Sequence, residues 1–395
     1  MGLILIRYGE IALKGQNRAY FMRKLRRNVK RGLKTNDIEG QVWQEGQRIY
    51  LETDQPEKAI EVAQRVFGIV SLSPVEVTPA DMDAIVQKAI GVAHTAGLDS
   101  AHTFRIKARR ADKSFPHISP EIERQVGRAV AEATGAKVDL TKKVQKVIGI
   151  EVHAGRALVF GDTIAGPGGL PLGSQGRVVA LLSSGIDSPV AAWLMMKRGC
   201  GVIPVHFSTS KAQTEQVMAI VEALNQHAYG WQLRPVVLSH EQILGQDLAR
   251  LRDIRQERWT CLFCKRAMLA RAAELAEEMG ASALVTGDSL GQVASQTLSN
   301  LEVISYGVQK PILRPLIGMD KTEIMTLARR IGTYQASIKT SYACPFLPAR
   351  PLTQANLDKL RKLFRRMEQI EPPPSGQRAA SEHSGGKVPE SYVEP

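Results

Sequence analysis

Ser183-Ser184-Gly185-Ile186-Asp187-Ser188-Pro189 is a run of small residues with one carboxylate, set between an apolar stretch, Arg177 to Leu182, and a helical pattern, Val190 to Arg198. Such a loop exposes backbone N–H groups and a helix N-terminus, both suited to phosphate. Ser188 is expected to cap the helix and Pro189 to fit its first turn. A strand-to-helix turn without a ligand would share the Ser and Gly, so composition alone is a weak signal. Position adds to it, because open sheets bind ligands beyond the C-terminal ends of their strands. Thiols are the second signal. Cys261 and Cys264 stand three apart before a helical run from Lys265 to Met279, so both fall on one side of a turn and could share a metal or exchange a disulfide. That spacing alone leaves zinc, redox chemistry and coincidence open. Cys344 follows in Ser341-Tyr342-Ala343-Cys344-Pro345, and Cys200, between Gly199 and Gly201, is expected to pack as a small apolar group. Four cysteines in 395 residues exclude a disulfide scaffold.

The elements that must position these groups are readable from periodicity. Strand candidates Arg177 to Leu182, Val202 to Phe207, Leu233 to Leu238 and Ala283 to Thr286 are nearly all apolar and alternate with helices, the pattern of a doubly wound parallel sheet. Two small α+β modules precede it. The first, 1–58, has a strand at Leu3 to Ile6, a basic amphipathic helix through Tyr20 to Arg27, and a hairpin around Gln41 to Trp43 and Arg48 to Leu51. The second, 59–164, has helices at Ala59 to Val66, Met82 to Ala96 and Ser119 to Thr134, the last ending at Gly135. Its strands are Ile69 to Pro74, Thr103 to Arg110, and a hairpin of Val147 to His153 with Ala157 to Phe160, turning at Gly155-Arg156. Gly and Pro crowd 165–176, the expected linker; the sheet domain is placed at 177–370 and a disordered tail at 371–395.

Lys and Arg total 52 against 39 Asp and Glu, a net charge of +13 that favours a polyanionic partner. The strand Thr103 to Arg110 reads as an edge carrying cations, so Arg105, Lys107, Arg109 and Arg110 are candidate RNA contacts, although a charge run often marks only a solvated face. No stretch reaches the roughly 18 apolar residues of a membrane span, and the N-terminus lacks a signal peptide's apolar core, so a cytoplasmic location without membrane is expected.

The 183–188 loop resembles the pyrophosphate (PP) loop of ATP pyrophosphatases, written Ser-Gly-Gly-x-Asp-Ser. Longer strings resemble one family, the tRNA 4-thiouridine synthetases (tRNA sulfurtransferases): Gly185 to Gly199 (GIDSPVAAWLMMKRG), Thr286 to Leu298 (TGDSLGQVASQTL) and Arg314 to Lys321 (RPLIGMDK). Arg7 to Gly15 (RYGEIALKG) with Asn17-Arg18 is similar to that family's ferredoxin-like domain, and the middle module resembles the RNA-binding THUMP domain. The likeness spans about residues 1–353. It implies an α/β chain: an N-terminal ferredoxin-like α+β domain and a THUMP domain, followed by a doubly wound parallel-sheet ATP-pyrophosphatase (PP-loop) domain.

The resemblance also assigns roles. Backbone groups of Leu181, Leu182, His206 and Phe207 hold the adenosine of ATP, with Gly287 and Gln296 on its other side. Ser183, Ser184, Gly185 and Ser188 belong to the phosphate loop, and Asp187 is its catalytic or magnesium-linked carboxylate. Lys265 and Lys321 neutralise charge on the phosphates. Ser184 stands where the family has Gly, which in a left-handed conformation would cost roughly 1 kcal/mol, while its hydroxyl could donate to phosphate. A cysteine matching Cys344 takes part in sulfur transfer in many members, often with a rhodanese domain that carries a second one. The residues after Cys344 are cysteine-free and too few for that domain, so the rhodanese-lacking type is expected, in which C-x-x-C and one distant cysteine hold an iron–sulfur cluster. Cys261, Cys264 and Cys344 match that set; direct thiol, persulfide or disulfide chemistry, zinc and idle thiols stay open.

The expected reaction is ATP-dependent 4-thiolation of uridine 8 in tRNA through an adenylated base, with a role in supplying sulfur for the thiamine thiazole also implied. The partners implied are tRNA, a sulfur donor (cysteine desulfurase or sulfide) and a second copy of the chain. The alternatives are a PP-loop enzyme thiolating another tRNA base or acting on a small molecule, and a noncatalytic tRNA-binding protein with a degenerate loop.

Overall fold

The computed structural model describes residues 1–141, 143–340 and 344–369, and the expected tail lies outside them. Two compact units meet between Pro171 and Leu172, within the Gly- and Pro-rich stretch 165–176.

The first unit contains β1 (Gly2–Tyr8), α1 (Arg18–Thr35), β2 (Gln41–Glu45), β3 (Arg48–Thr53), α2 (Pro56–Ala63), β4 (Ile69–Pro79), α3 (Met82–Thr95), β5 (Thr103–Arg110), α4 (Ser119–Thr134), β6 (Lys137–Val138), β7 (Lys146–His153), β8 (Arg156–Phe160) and β9 (Ile164–Ala165). Its strands run in the order β2-β3-β1-β4-β8-β7-β5-β6, with β9 beside β4. β4 is the shared element: Ile69 to Val75 pairs with β1, and Glu76 to Pro79 pairs with β8. α2 packs on α1 and β1, so the chain passes from one module to the next inside β4, not at residue 58. α3 and α4 cover β5, β7 and β8, burying Phe104, Ile106, Ile150 and Val152. The β7–β8 turn is Ala154-Gly155, both at positive φ (50° and 74°), the backbone of a two-residue hairpin. Arg156, expected in the turn, is instead the first residue of β8.

A half-buried charge cluster ties the two modules together. Glu151 on β7 accepts from Arg7 Nε of β1 at 3.1 Å and from Arg48 of β3 at 3.0 Å. Arg7 also donates to Ser73 Oγ at 3.0 Å and lies 4.4 Å from the Phe160 ring centroid. Burial alone would push the Glu151 carboxyl up; the two guanidinium groups outweigh it and hold it below its ordinary value of 4.5. The stability it contributes is therefore fully present above that value and is lost as pH falls through the lower folded one. Replacing Glu151 with Ala strands two half-buried cations and should cost about 1–3 kcal/mol. The denaturant transition of the first unit at pH 7 should shift accordingly, and the gap between variant and parent should narrow as pH falls below 4.5. A gap that stays constant as the pH falls would refute the account.

The second unit contains β10 (Arg177–Leu181), α5 (Asp187–Lys197), β11 (Gly201–Ser208), α6 (Lys211–Asn225), β12 (Val236–Ser239), α7 (His240–Asp253), α8 (Thr260–Glu278), β13 (Ala283–Val285), α9 (Leu298–Ser305), β14 (Ile312–Leu313), α10 (Lys321–Arg330), α11 (Tyr334–Ile338) and α12 (Leu357–Glu368). The strands form one sheet in the order β12-β11-β10-β13-β14, and every adjacent pair is parallel. β11 buries residues of both parities, which requires cover on both faces. α7, α8, α9 and α12 supply one of these layers, with Leu244, Leu269, Ala272, Leu275 and Val303 packed on Val179, Ile203 and Val205. α5, α6, α10 and α11 pack together as a second group. β12 starts three residues later than expected: Pro235 has no N–H for the ladder, and the strand begins just after it. β10 has the next strand in sequence, β11, on one side and β13 on the other, so the direction of winding reverses at its C-terminal end. That is where an open α/β sheet leaves a crevice.

Candidate active site

The loop 183–186 leaves β10 into this crevice and leads straight into α5. Ser188 does not cap the helix, as the sequence suggested. The N-cap is Ile186, and Ser188 lies in the first turn. Its hydroxyl turns back instead, accepting from the Ser183 N–H at 2.9 Å and meeting Ser183 Oγ at 3.0 Å, which closes the loop. The strain expected at Ser184 is not there either. Neither Ser184 nor Gly185 is among the residues at positive φ, so serine fits without the left-handed penalty.

Gly287, after β13, is required by close approach. A Cβ there would lie 2.7 Å from the Ser188 amide nitrogen and 2.8 Å from its Cα. Beyond this contact opens a cavity of about 270 Å³. Leu181, Leu182, Ser183, Gly185, Asp187, Ser188, His206, Phe207, Lys265, Gly287 and Gln296 all line it, whereas Ser184, Lys321 and Cys344 are not in its wall. Thr286, Asp288, Gln213 and Met268 also line it. His206 donates Nδ1–H to the Leu182 carbonyl at 3.0 Å, which fixes the tautomer, and burial pushes its pKa below the usual 6.5, so the ring is neutral at pH 7.

Two carboxylates organise the charges. Asp187 accepts from Lys321 Nζ at 2.6 Å and, by its other oxygen, from Gln292 Nε2 at 3.0 Å. Lys321 begins α10, positioned by the Asp320 cap with its reciprocal Glu323 bond. Asp288 is buried and accepts from Lys265 Nζ at 2.9 Å, Gln296 Nε2 at 3.2 Å, Thr286 Oγ1 at 2.7 Å and Arg314 Nε at 3.4 Å. Burial would raise its pKa, but the Lys265 charge and these hydrogen bonds outweigh it and hold the group below the usual carboxylate range. Sequence reasoning missed Asp288, Gln292 and Thr286, although the Thr286 to Leu298 string contains all three. Arg314 opened the next string and was equally available.

α8 starts at Thr260, five residues before the expected Lys265, so Cys261 and Cys264 lie within its opening turns. Burial and the nearby Cys344 and Cys261 push the Cys264 thiol up to about 12, and burial and Cys344 push Cys261 up as well. The three sulfurs are thus near enough to feel one another, with Cys344 exposed. Among the described residues no three His, Cys, Asp or Glu side chains are grouped closely enough to hold a single metal ion. His240 Nε2 lies 3.0 Å from Cys264 Sγ and its ring stacks on Phe346 at 4.9 Å; no sequence signal marked it. Cys200 is buried and apart from this group, as expected of a packing residue.

In the first unit, Arg105, Lys107 and Arg109 alternate with buried Phe104 and Ile106 on β5 and share a face. Arg110 has the opposite parity, and its guanidinium donates to the Phe115 carbonyl at 3.1 Å, so it does not join them.

Comparison with known proteins agrees with this arrangement. The family description "Thiamine biosynthesis protein (ThiI)" matches residues 173–368, the ThiI ferredoxin-like domain matches 3–73, and the THUMP domain matches 79–162. The last two meet within β4. A probable tRNA sulfurtransferase of Methanocaldococcus jannaschii is 39% identical over 375 residues, covering 93% of this chain and 97% of the relative. The chain belongs to the tRNA sulfurtransferase family. Another member, from Thermococcus kodakarensis, is 40% identical over 92% of this chain and 96% of its own. Among solved structures, a 4-thiouridine synthetase–RNA complex with bound ATP superposes with a TM-score of 0.80 at 31% identity, covering 93% of this chain and 95% of that one.

The Gly287 contact makes a prediction about stability. Gly287→Ala places its methyl against backbone that cannot rotate away, and should lower the stability of the second unit by about 1–3 kcal/mol. Gly185→Ala meets nothing nearer than Ser183 Oγ at 3.5 Å and should melt like the parent. Thermal unfolding of both variants checks this; equal melting temperatures would show the contact to be unimportant.

Proposed function

We propose that this chain is an ATP-dependent tRNA uracil 4-sulfurtransferase that makes 4-thiouridine at position 8 of tRNA through an adenylated uridine. The observation that carries the reading is Asp187, held between Lys321 and Gln292 at the start of α5 where the loop meets the cavity. Adenosine would lie against the strand ends at Leu181-Leu182 and His206-Phe207, with its phosphates over the loop amides and the N-terminus of α5. Uracil O4 then attacks the α-phosphorus, the bond to the bridging oxygen breaks, and pyrophosphate leaves with that electron pair while the base loses its N3 proton. Lys321 and Lys265 offset the charge on the departing oxygens. Asp187 is the carboxylate that would meet a phosphate-bound magnesium ion, since each of its oxygens keeps a second lone pair free.

Adenylation turns a carbonyl oxygen into part of a good leaving group. Hydrosulfide displaces AMP at C4, with AMP leaving on the oxygen that was O4. An outside sulfide supplies that sulfur directly, whereas a cysteine desulfurase supplies persulfide sulfur that two electrons from a thiol pair, closing a disulfide, would first have to reduce. Cys261, Cys264 and Cys344 would hold an iron–sulfur cluster. Each of Cys261 and Cys264 is shifted by the charge of Cys344, so the three sulfurs belong to one neighbourhood, as a shared cluster requires. Such a cluster supplies, when bound, an open iron able to present sulfur. The same sulfur supply fits a contribution to the thiamine thiazole, in line with the family description. Arg105, Lys107 and Arg109 would meet tRNA phosphates. The noncatalytic alternative, a binder with a loop degenerate at Ser184, loses support because serine adopts this loop without positive φ.

Two variants test the two steps. Asp187→Asn should abolish pyrophosphate release from ATP and unmodified tRNA while tRNA binding in a filter assay stays intact; turnover at parental rate would remove Asp187 from the mechanism. Cys344→Ser should stop 4-thiouridine formation, read by its absorbance in the tRNA, yet leave pyrophosphate release. Loss of both activities would reject the division into two steps.

A further inference from the structure

Asp288 is the most heavily engaged carboxylate of the cavity and the only resident there that is at once acidic and 6% exposed among the described residues. Its two oxygens face different neighbours. Oδ2 is fixed to the framework: Thr286 at the end of β13 donates at 2.7 Å, and Arg314 Nε lies at 3.4 Å while its NH2 donates to Ser305 of α9 at 2.8 Å. Oδ1 takes the two donors that line the cavity, Lys265 at 2.9 Å and Gln296 at 3.2 Å.

We propose that Asp288 is a positioning residue for the adenylation step, holding Lys265 and Gln296 by one oxygen so that both meet the nucleotide already oriented. The proposal rests on the ATP-dependent reading above and deepens it. Three physical points support it. A carboxylate offers about four acceptor positions, and all four are taken, so Asp288 has none left with which to bind a metal or accept a substrate proton. Lys265 spends one of three N–H groups on it and Gln296 one of two, so each keeps donors for a ligand. A lysine stem has four rotatable bonds, and pinning its ammonium beforehand removes ordering cost from the binding event. The charge balance also matters: two cations share one anion, which leaves the group a net positive charge against phosphate.

The experiment is calorimetric ATP binding by the intact protein, with the parent, Asp288→Asn, Lys265→Met and the double variant. Each single change should weaken ATP binding by on the order of 10- to 100-fold. The double should fall well short of the product of the two single losses, because both remove the same oriented ammonium and only the share that runs through Gln296 adds. Excess magnesium should not restore Asp288→Asn. Independent, multiplicative losses would show that Asp288 acts on the fold and not through Lys265, and restoration by magnesium would make it a metal ligand; either result overturns the proposal. Where Asp288→Asn does not fold, Thr286→Val loosens the same carboxylate from the framework side. It should weaken ATP binding more in the parent than in the Lys265→Met background, where only the Gln296 share is left to lose; equal losses in both would overturn the proposal too. A parent that binds no ATP would instead sink the proposed function itself.

Discussion

The catalytic unit depends on one contact between two backbones, Gly287 against the first turn of α5. Because no side chain stands between them, the loop after β13 and the loop after β10 share a wall, and two carboxylates from separate loops come to border one cavity. A thicker residue at 287 would separate the strand ends at the point where the winding of the sheet reverses. Parallel order in the sheet creates the crevice, but this approach gives the crevice its chemistry.

The electrostatics follow from that geometry. The cavity holds cations for an anionic ligand, and without anions of its own it would hold them in an unsatisfied state. Asp187 and Asp288 each compensate a lysine, at 2.6 Å and 2.9 Å respectively. They differ in how far they are tied. Asp187 has two donors and remains partly accessible, whereas Asp288 has four and is buried. On the proposed function, one carboxylate therefore keeps lone pairs for the reacting phosphate, while the other is committed to the scaffold that faces it. The same logic operates far from the cavity at Glu151, where two arginines bond one half-buried acid and link the sheets on either side of β4.

Much of this was legible in the sequence, and the reasons differ by residue. Apolar runs at Val178, Ile203 and Leu284 gave the parallel sheet because strands buried on both faces leave no alternation to misread. The density of Gly and Pro at 165–176 marked the break between units for the same local reason. What failed was the detail set by tertiary partners. Ser188 looks like a cap from its neighbours, but its partner is Ser183, across the loop. Alternation along β5 distinguishes Arg109 from Arg110 by parity, yet a list of basic residues does not. Periodicity also placed the start of α8 too late, since Cys261 and Cys264 offer weak helical signals while Trp259 and Leu262 are buried there. His240 was invisible because a single histidine carries no spacing, and its nearness to Cys264 arises only when α7 packs beside α8.

α8 has a further consequence. Cys261, Cys264 and Lys265 lie within five residues of its opening turns, where the helix rises about 5.4 Å per turn. On the proposed function, the group that steadies the departing phosphate and two of the thiols that would hold the sulfur-presenting cluster travel as one rigid rod. An activated base would then need no journey between stations: the second reagent arrives alongside the first, and an intermediate vulnerable to hydrolysis is consumed where it was formed.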